Sequence, residues 1–437
     1  MTLTRTFALL AIFSAIPASA QETDPPPVEV DIVGGGVTDA VAIAVPAMPG
    51  SAGGASGRDI AEVIASDLRS TGQFKPIGPG GLPGYDAAQA GSPAYPEWRS
   101  AGASALVSGY VEDRGSGRVT VACYLHDVAA GRPLAHQGFA VDGADWRRAA
   151  HKCADLVYSR LSGQQPYLDT RIVYVAETGP KNARVKRIAL MDSDGSNHRY
   201  LTPGRNTVVS PQFSPRGDKL VYTSYIGRRP RVLLYDVASG SERLLVPGNV
   251  ISFAPRFSPD GRFVVFSMAE AGNTDIFMVS VDGGAARRLT SAPGADTAPS
   301  VSPDGRRIVF ESDRSGTQQL YVMNADGSGQ RRISFGGGRY ASPVWSPKGD
   351  LIAFTKIAGN FRIGVMTPSG GGERILTDSW QDEGPSWAPN GQFVMFNRIS
   401  QGSGASRLYA VHIGGGEPRL MPTPVGGSDP SWSPLQN

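Results

Sequence analysis

Short apolar runs separated by polar turns recur along the chain from about residue 166 to its end. Where the pattern is clearest, Ile308 to Phe310 and Leu320 to Met323 are rich in β-branched and aromatic residues, and glycine-containing turns separate them. Such runs predict β-strands, and the Asp-Gly pairs between them predict tight hairpins. The pattern therefore predicts a region of short antiparallel strands.

A five-residue phrase, P-x-[F/V/W]-[S/A]-P, marks each repeat of this pattern. Its six copies begin at Pro211, Pro255, Pro299, Pro343, Pro385 and Pro430, so they lie 42 to 45 residues apart. A repeat of this length with four short strands is typical of one blade of a β-propeller. We therefore predict a mainly β chain with a six-bladed propeller. Its third strands are expected at Ile188 to Met191, Val232 to Tyr235, Ile276 to Val279, Leu320 to Met323, Ile363 to Met366 and Leu408 to Val411.

The two ends of the repeat region complement each other. The strand Arg171 to Val175 has no proline phrase before it, whereas the phrase at Pro430 has only Leu435 to Asn437 after it. If the strand around Ser431 to Ser433 supplies the innermost strand of the first blade, no open sheet edge remains. We predict that one blade is built from both chain ends.

The first twenty residues predict a cleaved signal peptide. Arg5 gives a positive start, Phe7 to Ile16 is apolar, and Ala18-Ser19-Ala20 fits a cleavage site. A membrane anchor is disfavoured because the apolar run is well short of the roughly 20 residues that a bilayer requires. We therefore expect a soluble exported protein without direct membrane insertion.

Residues 37–165 lack the repeat and predict a small α/β domain of mixed topology before the propeller of residues 166–437. Apolar residues at helical spacing predict helices over Gly57 to Ser70 and Trp146 to Leu161. A short helix at Trp98 to Ala103 and strands at Ala42 to Val45, Ala105 to Tyr110, Val119 to Val128 and Leu134 to Val141 complete the prediction.

Composition and charge exclude some classes of function. The 55 glycines and 34 prolines among 437 residues indicate turn-dense β structure rather than disorder. The net charge of +3 is small and no basic stripe accompanies it, so nothing favours nucleic-acid binding.

Motifs for catalysis, cofactors and metals are missing from the sequence. There is no G-x-S-x-G, H-E-x-x-H or P-loop pattern, and the five histidines are scattered. Asp192 to Gly195 resembles the start of a calcium loop, but the twelfth position falls on Pro203 and the bidentate glutamate is lacking. We therefore predict no enzyme, no cofactor and no metal.

The chain has two cysteines, Cys123 on a predicted strand and Cys153 on the apolar side of the last helix. A helix packed on a sheet can bring two Cα atoms into the range that a disulfide allows. The pair is a disulfide candidate in an oxidising compartment, and two reduced buried thiols are the alternative.

An ordered set of motifs resembles the TolB family of Tol-Pal system proteins. The set comprises Glu29 to Ile32, the strand end Val45-Pro46, the helix end Asp67 to Gly72, Phe74 with Pro76, and Thr170 to Val175 ahead of six blades. The resemblance covers almost the whole chain. It implies a monomeric, periplasmic, non-enzymatic adaptor that supports outer-membrane integrity and invagination during cell division.

The same resemblance implies two partners, and the first is the peptidoglycan-associated lipoprotein Pal. In a propeller the connections from each outer strand to the next inner strand emerge on one face, and the resemblance implies that Pal docks there. Ile251, Ala254, Thr297 and Ala298 align with family positions implicated in the contact. We expect exposed loops to carry the full candidate set: Ile251, Phe253, Ala254, Asp296, Thr297, Ala298, Tyr340, Asp382 and Glu383.

The second implied partner is the inner-membrane-anchored protein TolA, which would bind the extended segment of residues 21–36. Val28 to Val33 alternates like a strand between a proline stub and a glycine run. Such a strand can pair with a sheet edge of a partner. The candidate contact residues are Glu29, Val30, Ile32 and Val33.

Two alternatives to an adaptor stay open at this point. An exported hydrolase would need converging acid and base residues in the propeller channel. A binder of cell-wall glycan would need an aromatic cluster on the propeller axis, for which Trp345, Trp387 and Trp432 are candidates. They share one position of the proline phrase with Phe213, Phe257 and Val301, so packing between blades is the competing interpretation.

Overall fold

The computed structural model describes residues 40–436, which form an α/β unit followed by six four-stranded sheets. The mainly β fold with a six-bladed propeller is confirmed. The predicted signal peptide and the segment with Glu29, Val30, Ile32 and Val33 lie outside the described residues. None of the helices in residues 40–436 combines the length and the apolar composition that a membrane span requires.

The α/β unit contains a five-stranded sheet in the order β4-β1-β5-β6-β7. Strand β1 runs parallel to both β4 and β5, and the remaining pairs are antiparallel. A two-stranded ribbon, β2 and β3, precedes the first helix. The strands are β1 Val41–Ala44, β2 Ser51–Ala52, β3 Ala55–Ser56, β4 Phe74–Ile77, β5 Ala105–Gly115, β6 Arg118–Asp127 and β7 Arg132–Asp142; the helices are α1 Gly57–Ser70, α2 Tyr95–Ser100 and α3 Trp146–Ser162.

Helix α1 begins and ends where its local sequence predicts. Ser56 and Asp59 form a capping box in which each side chain binds the other residue's backbone N–H. Ile60, Ile64 and Leu68 are completely buried on one side of the helix, as their spacing requires. This apolar stripe packs α1 onto the sheet beside α3.

Helix α3 packs against β6 and β7 and is joined to the sheet covalently. Cys153 on α3 forms a disulfide with Cys123 on β6, with the two Cα atoms 5.8 Å apart. Both cysteines are completely buried. The helix ends at Gly163, which has a φ of 68° that favours glycine.

The propeller blades contain four antiparallel strands each. Blade 1 is β31 Gly426–Trp432, β8 Arg171–Thr178, β9 Val185–Asp192 and β10 Arg199–Tyr200; blade 2 is β11 Val208–Phe213, β12 Lys219–Ile226, β13 Arg229–Asp236 and β14 Glu242–Leu244. Blade 3 is β15 Ile251–Phe257, β16 Phe263–Glu270, β17 Asn273–Ser280 and β18 Arg287–Arg288; blade 4 is β19 Asp296–Val301, β20 Arg307–Ser312, β21 Gln319–Asn324 and β22 Arg331–Arg332. Blade 5 is β23 Arg339–Trp345, β24 Ile352–Ala358, β25 Asn360–Met366 and β26 Arg374–Ile375; blade 6 is β27 Asp382–Trp387, β28 Phe393–Ile399, β29 Ser406–His412 and β30 Arg419–Leu420.

The ring closes through the two ends of the repeat region, as predicted. Strand β31 pairs antiparallel with β8, with Trp432 opposite Ile172. Beyond the strand, Arg171 and Ser433 exchange two hydrogen bonds of 2.8 Å, one between backbone groups and one from the Arg171 N–H to the Ser433 hydroxyl. The closure leaves blade 1 with the same inner strand that the other five blades have.

Each inner strand contains a bulge at the first proline of its phrase. The register against the second strand shifts there in all six blades. The residue before that proline has a positive φ in every blade: Ser210 at 53°, Ala254 at 51°, Ala298 at 50°, Ser342 at 50°, Gly384 at 64° and Asp429 at 48°. Because five of the six are not glycine, the ring holds five residues in a backbone conformation that side chains disfavour.

The α/β unit sits on the side of the propeller where the turns after the inner strands emerge. Tyr167 stacks on Phe393 of blade 6 and meets Trp432 of blade 1 edge to face. Asn390 and Gln392, in the turn before β28, bond to Tyr158 and Gln164. The unit therefore covers blades 1 and 6 on this side.

The connection between α3 and β8 is fixed by one carboxylate. Asp155 accepts hydrogen bonds from the backbone N–H groups of Tyr167, Leu168 and Asp169 at 2.8, 2.8 and 2.9 Å. The carboxylate is buried, so these three donors replace its hydration. This arrangement sets the direction in which the chain enters the propeller.

Candidate functional site

The side of the propeller opposite the α/β unit is here called the open face. It is formed by the connections that lead into the inner strands and by the hairpins between second and third strands. Because every inner strand runs from this face toward the turns that meet the α/β unit, all six connections emerge together. Nothing in residues 40–436 covers the open face.

Large apolar side chains are exposed on the open face. Phe335 is 72% exposed and Trp380 is 50% exposed, and each lies in a connection that leads into an inner strand. Tyr225 and Ile226, in the hairpin of blade 2, and Ile251, at the start of β15, are exposed as well. Several exposed apolar residues on one face of a protein indicate an interaction surface.

Six of the nine candidate residues for Pal binding are accessible on or near this face. Ile251 is exposed, and Phe253, Ala254, Thr297, Ala298 and Glu383 are half-buried. Several are also tied into the blades by hydrogen bonds. The backbone N–H groups of Ala254 and Ala298 donate to the hydroxyls of Thr223 and Ser267, both at 3.2 Å.

The other three candidates, Asp296, Tyr340 and Asp382, are completely buried, so their expected exposure is wrong. Asp296 is ion-paired with Arg314 of the same blade. The Asp382 carboxylate accepts two hydrogen bonds from the Arg398 guanidinium, at 2.7 and 2.9 Å. The Tyr340 hydroxyl donates to Glu373 at 2.7 Å. These side chains stabilise the starts of the inner strands and are not available to a partner.

The expectation that the nine candidates lie in loops is also wrong. All nine lie within inner strands, because pairing continues past the bulge toward the open face. In the sequence, the first proline of each phrase looks like the start of the inner strand. The residue before it has a backbone conformation that strands disfavour. The hydrogen bonds before the bulge are long-range and do not show in a local pattern.

A buried acid lies directly beneath Thr297. Glu311 accepts hydrogen bonds from the Thr297 hydroxyl at 2.5 Å and from the Ser342 N–H at 2.8 Å. Burial raises the pKa of Glu311, while these hydrogen bonds act in the opposite direction. The acid links the inner strands of blades 4 and 5 and fixes the position of the Thr297 side chain.

The positive-φ residues of the six bulges line the central channel, together with Gln212 and Arg256. Burial lowers the pKa of Arg256 to about 10, and its guanidinium bonds to the Gln212 amide oxygen. Burial raises the pKa of Asp429, whose carboxylate accepts the Ser210 N–H at 3.1 Å. Arg256 and Asp429 are the charged groups among the described residues that line this part of the channel, and these described residues do not include the converging acid and base groups that a hydrolase site needs.

The string that resembles a calcium loop takes part in an ionic cluster between the two domains. Ligand atoms of His151, Asp192 and Asp194 lie within 4.8 Å of one another. Arg147 pairs with Asp194, and Asn197 donates to Asp192 at 2.6 Å. Burial would lower the pKa of His151, but Asp67, Asp194 and Asp192 raise it to about 9. A protonated His151 and Arg147 therefore supply two positive charges next to the three carboxylates of Asp67, Asp192 and Asp194.

The three tryptophans of the proline phrases pack between blades and do not face the channel. Trp345, Trp387 and Trp432 are each at most 7% exposed. The Trp387 indole donates to the Val344 carbonyl at 2.9 Å, and Trp432 donates to the Thr170 hydroxyl at 2.8 Å. The axial aromatic cluster that a glycan site would require is not formed by these residues.

Sequence reasoning missed the most exposed apolar residues of the open face. Phe335 stands between Ser334 and three glycines, and Trp380 stands in a run of polar residues before Asp382. A large aromatic residue inside a polar or glycine-rich connection has no strand partner to cover it. That signal could have identified both residues.

Comparisons with known proteins agree along the whole chain. Residues 158–436 match the family model of the TolB beta propeller domain, and residues 28–134 match that of the TolB amino-terminal domain. Tol-Pal system protein TolB 1 of Novosphingobium aromaticivorans is 57% identical over 450 aligned residues, covering 100% of both chains. Tol-Pal system protein TolB of Rhizorhabdus wittichii is 59% identical over 434 residues, covering 98% of this chain and 97% of the relative.

A solved structure with the same architecture is TolB from Acinetobacter baumannii. It superposes with a TM-score of 0.80 at 25% sequence identity, covering 92% of this chain and 98% of that chain. The similarity therefore extends over the α/β unit and the propeller together.

Proposed function

Because the chain belongs to the TolB family of Tol-Pal system proteins, we propose that it is a non-enzymatic adaptor of the periplasm. In this role it binds Pal through the open face of the propeller and TolA through the segment around Glu29, Val30, Ile32 and Val33. Binding both partners supports outer-membrane integrity and invagination during cell division. The buried disulfide between Cys123 and Cys153 suits an oxidising compartment.

The observation that supports the Pal site is the set of exposed apolar residues distributed over the open face, with Ile251, Phe335 and Trp380 at its connections. Half-buried polar groups such as Thr297 and Glu383 lie on the inner strands that lead from the same face. A surface that combines exposed apolar side chains with polar groups has the usual composition of a protein interface. No catalytic constellation competes for this surface among residues 40–436.

The Pal site is tested with Ile251→Arg and Trp380→Ser. If either residue is a hot spot, the change costs about 2 kcal/mol of binding free energy or more, roughly 30-fold in Kd. Titration calorimetry against soluble Pal measures this. Leu420→Ser is the matched control, because Leu420 is 54% exposed but lies on an outer strand away from the open face.

The melting temperature of each variant distinguishes a loss of Pal binding from a loss of the fold. Each variant should keep the wild-type melting temperature, because both side chains are exposed in the free protein. Wild-type affinity for Pal in Ile251→Arg and Trp380→Ser would move the site to another surface. Equal weakening in the Leu420→Ser control would point to a general effect on the protein.

The TolA segment is tested by Val30→Asp combined with Ile32→Asp. Two buried charges would replace the apolar anchors of a strand that pairs with the edge of a partner sheet. TolA binding should be lost and Pal binding kept. Loss of both, or of neither, would contradict the proposed division of partners.

A further inference from the structure

A groove of about 660 Å³ separates blades 3 and 4 on the side of the propeller that carries the α/β unit. Its apolar walls are Phe263, Val265 and Met278 of blade 3 and Val301 and Ile308 of blade 4. The α/β unit contacts blades 1 and 6, which lie across the ring from blades 3 and 4. The groove is here called the blade 3/4 groove.

The groove exists because one position of the repeat lacks an aromatic ring. The third residue of the proline phrase is aromatic in five blades: Trp432 in blade 1, Phe213 in blade 2, Phe257 in blade 3, Trp345 in blade 5 and Trp387 in blade 6. In blade 4 it is Val301. Val301 pairs with Ile308 as Trp345 pairs with Ile352, so the two occupy equivalent places. Among the six blades, blade 4 alone has an aliphatic residue at this position, and the space against the preceding blade is open there.

The structure shows how an indole ring fits an equivalent site one blade away. Trp345 packs against Val309 and Val322 of blade 4, and the Arg307 guanidinium lies 4.8 Å from the centre of its ring. Val265 and Met278 form the equivalent cross-strand pair in blade 3. These two residues line the blade 3/4 groove, so its apolar wall matches one that already holds an indole.

The groove also keeps the hydrogen-bond acceptor that an indole uses. Trp345 donates its ring N–H to the Gly349 carbonyl at 3.2 Å. Gly305 is the equivalent residue of blade 4, with a φ of 71° compared with 79° for Gly349, and it lines the groove. An indole placed in the groove therefore finds both apolar walls and an acceptor.

An arginine at the rim supplies a positive charge that is not bonded to the next blade, although it also attracts the Asp326 carboxylate of the rim. Arg243, Arg331 and Arg374 each donate to a carbonyl of the next blade. Arg287 holds the equivalent place in blade 3 and lines the groove, but within residues 40–436 it makes no such bond. The aspartates at the rim accept hydrogen bonds inside their own turns: Asp260 from Ser258, Asp304 from Ser302 and Asp326 from Ser328.

We propose that the blade 3/4 groove binds a tryptophan side chain of a partner protein, in a segment that carries a carboxylate close to the indole. The indole fills the place that Trp345 fills in the next blade, and its N–H donates to the Gly305 carbonyl. The carboxylate pairs with Arg287. This site lies on the opposite side of the propeller from the open face, so it does not depend on the proposed Pal contact.

The probe is N-acetyl-tryptophan, with N-acetyl-tryptophanamide and N-acetyl-leucine for comparison. Methyl NMR titration of the mature protein should shift signals of Val265, Met278 and Ile308 with N-acetyl-tryptophan. The neutral amide should bind several-fold more weakly, and N-acetyl-leucine should not bind measurably. In Arg287→Gln the two indole probes should bind equally, because the charge contact is gone.

Val301→Trp is the decisive variant, because the chain then fills its own groove. Binding of N-acetyl-tryptophan should fall at least tenfold, while Val301→Ala should keep it. If Val301→Trp does not fold, Val301→Phe replaces it, since phenylalanine occupies this position in blades 2 and 3. Undiminished binding in the filled variants, or shifts confined to other residues, would overturn the proposal.

The test also separates a partner from a second copy of the chain. Trp380 and Phe335 are exposed and could enter the groove of another molecule. Sedimentation of the wild-type protein should show a monomer at every concentration used for NMR. Concentration-dependent association that disappears in Val301→Trp would assign the groove to self-association and overturn the partner proposal.

Discussion

His151 Nδ1 on α3 and Asp67 Oδ2 on α1 form a hydrogen bond of 2.6 Å in the interior of the α/β unit. His151 is 1% exposed, and its other ring nitrogen lies 3.8 Å from the Asp194 carboxylate of blade 1. The same side chain therefore links the two helices to the propeller. Its charge state therefore contributes to the attraction between the domains, together with the pair of Arg147 and Asp194.

The stability of the protein should decrease as the pH rises from about 6.5 to about 9. An unfolded histidine has a pKa near 6.5, whereas the surrounding carboxylates raise the pKa of His151 to about 9. The stabilisation is complete below pH 6.5 and is lost as the pH rises through 9. We expect a loss of roughly 2 to 3 kcal/mol in the free energy of unfolding, measured by denaturant titration across this range.

The control for this prediction is His151→Gln, which can bond to Asp67 but cannot titrate. Its stability should be lower at pH 6 and nearly constant over the same range. An equal decline in the variant and in the wild type would assign the pH dependence to other groups.

Removing residues 429–437 should destabilise the protein by several kcal/mol. The deletion takes away most of β31, including Trp432, and exposes the edge of β8. Thermal unfolding with light scattering should show a lower melting temperature followed by aggregation. An unchanged melting temperature would contradict a ring whose stability depends on this closure.

The disulfide should contribute roughly 3 kcal/mol. It joins residues 30 positions apart, and the chain-entropy model assigns about that stabilisation to a loop of this size. Cys123→Ala combined with Cys153→Ala should lower the free energy of unfolding by this amount. A reducing agent should destabilise the wild type and leave the double variant unaffected, and two alkylatable thiols in the non-reduced protein would contradict the bond.

A larger and a smaller side chain at the third position of the proline phrase should have opposite effects on stability. Val301→Trp fills the blade 3/4 groove and should raise the free energy of unfolding by about 1 kcal/mol. Trp345→Val empties the equivalent position and should lower it by roughly 3 kcal/mol, because the lost contacts leave a cavity. Thermal unfolding of the two variants measures both, and destabilisation by Val301→Trp would mean that the groove cannot take a ring.

The bulges of the inner strands should respond to glycine. Ala298 has a φ of 50°, so Ala298→Gly relieves strain and should stabilise the protein by up to about 1 kcal/mol. Gly384→Ala places a Cβ 3.1 Å from the Asn397 side-chain oxygen at a φ of 64° and should destabilise it by a similar amount. Changes of the same sign in the two variants would show that backbone strain does not decide the outcome.

The sequence alone predicted the repeat, the six blades and the closure of the ring. These features follow from local information: strand-forming runs, turn residues and the spacing of the proline phrases recur in every blade, and repetition makes a weak local signal reliable. Helix α1 was predicted with its observed ends from the helical spacing of Ile60, Ile64 and Leu68, and in the structure Ser56 caps its first turn.

The tertiary structure decided which candidate residues are accessible. Asp296 and Asp382 look like exposed acids of a connection, yet pairing with Arg314 and Arg398 buries them completely. Strand β4 was predicted only as a motif and not as a strand, because its partner β1 is more than thirty residues away. The blade 3/4 groove could not be predicted from Val301 by itself: its volume depends on how two neighbouring sheets are spaced, and that spacing is set by the closed ring.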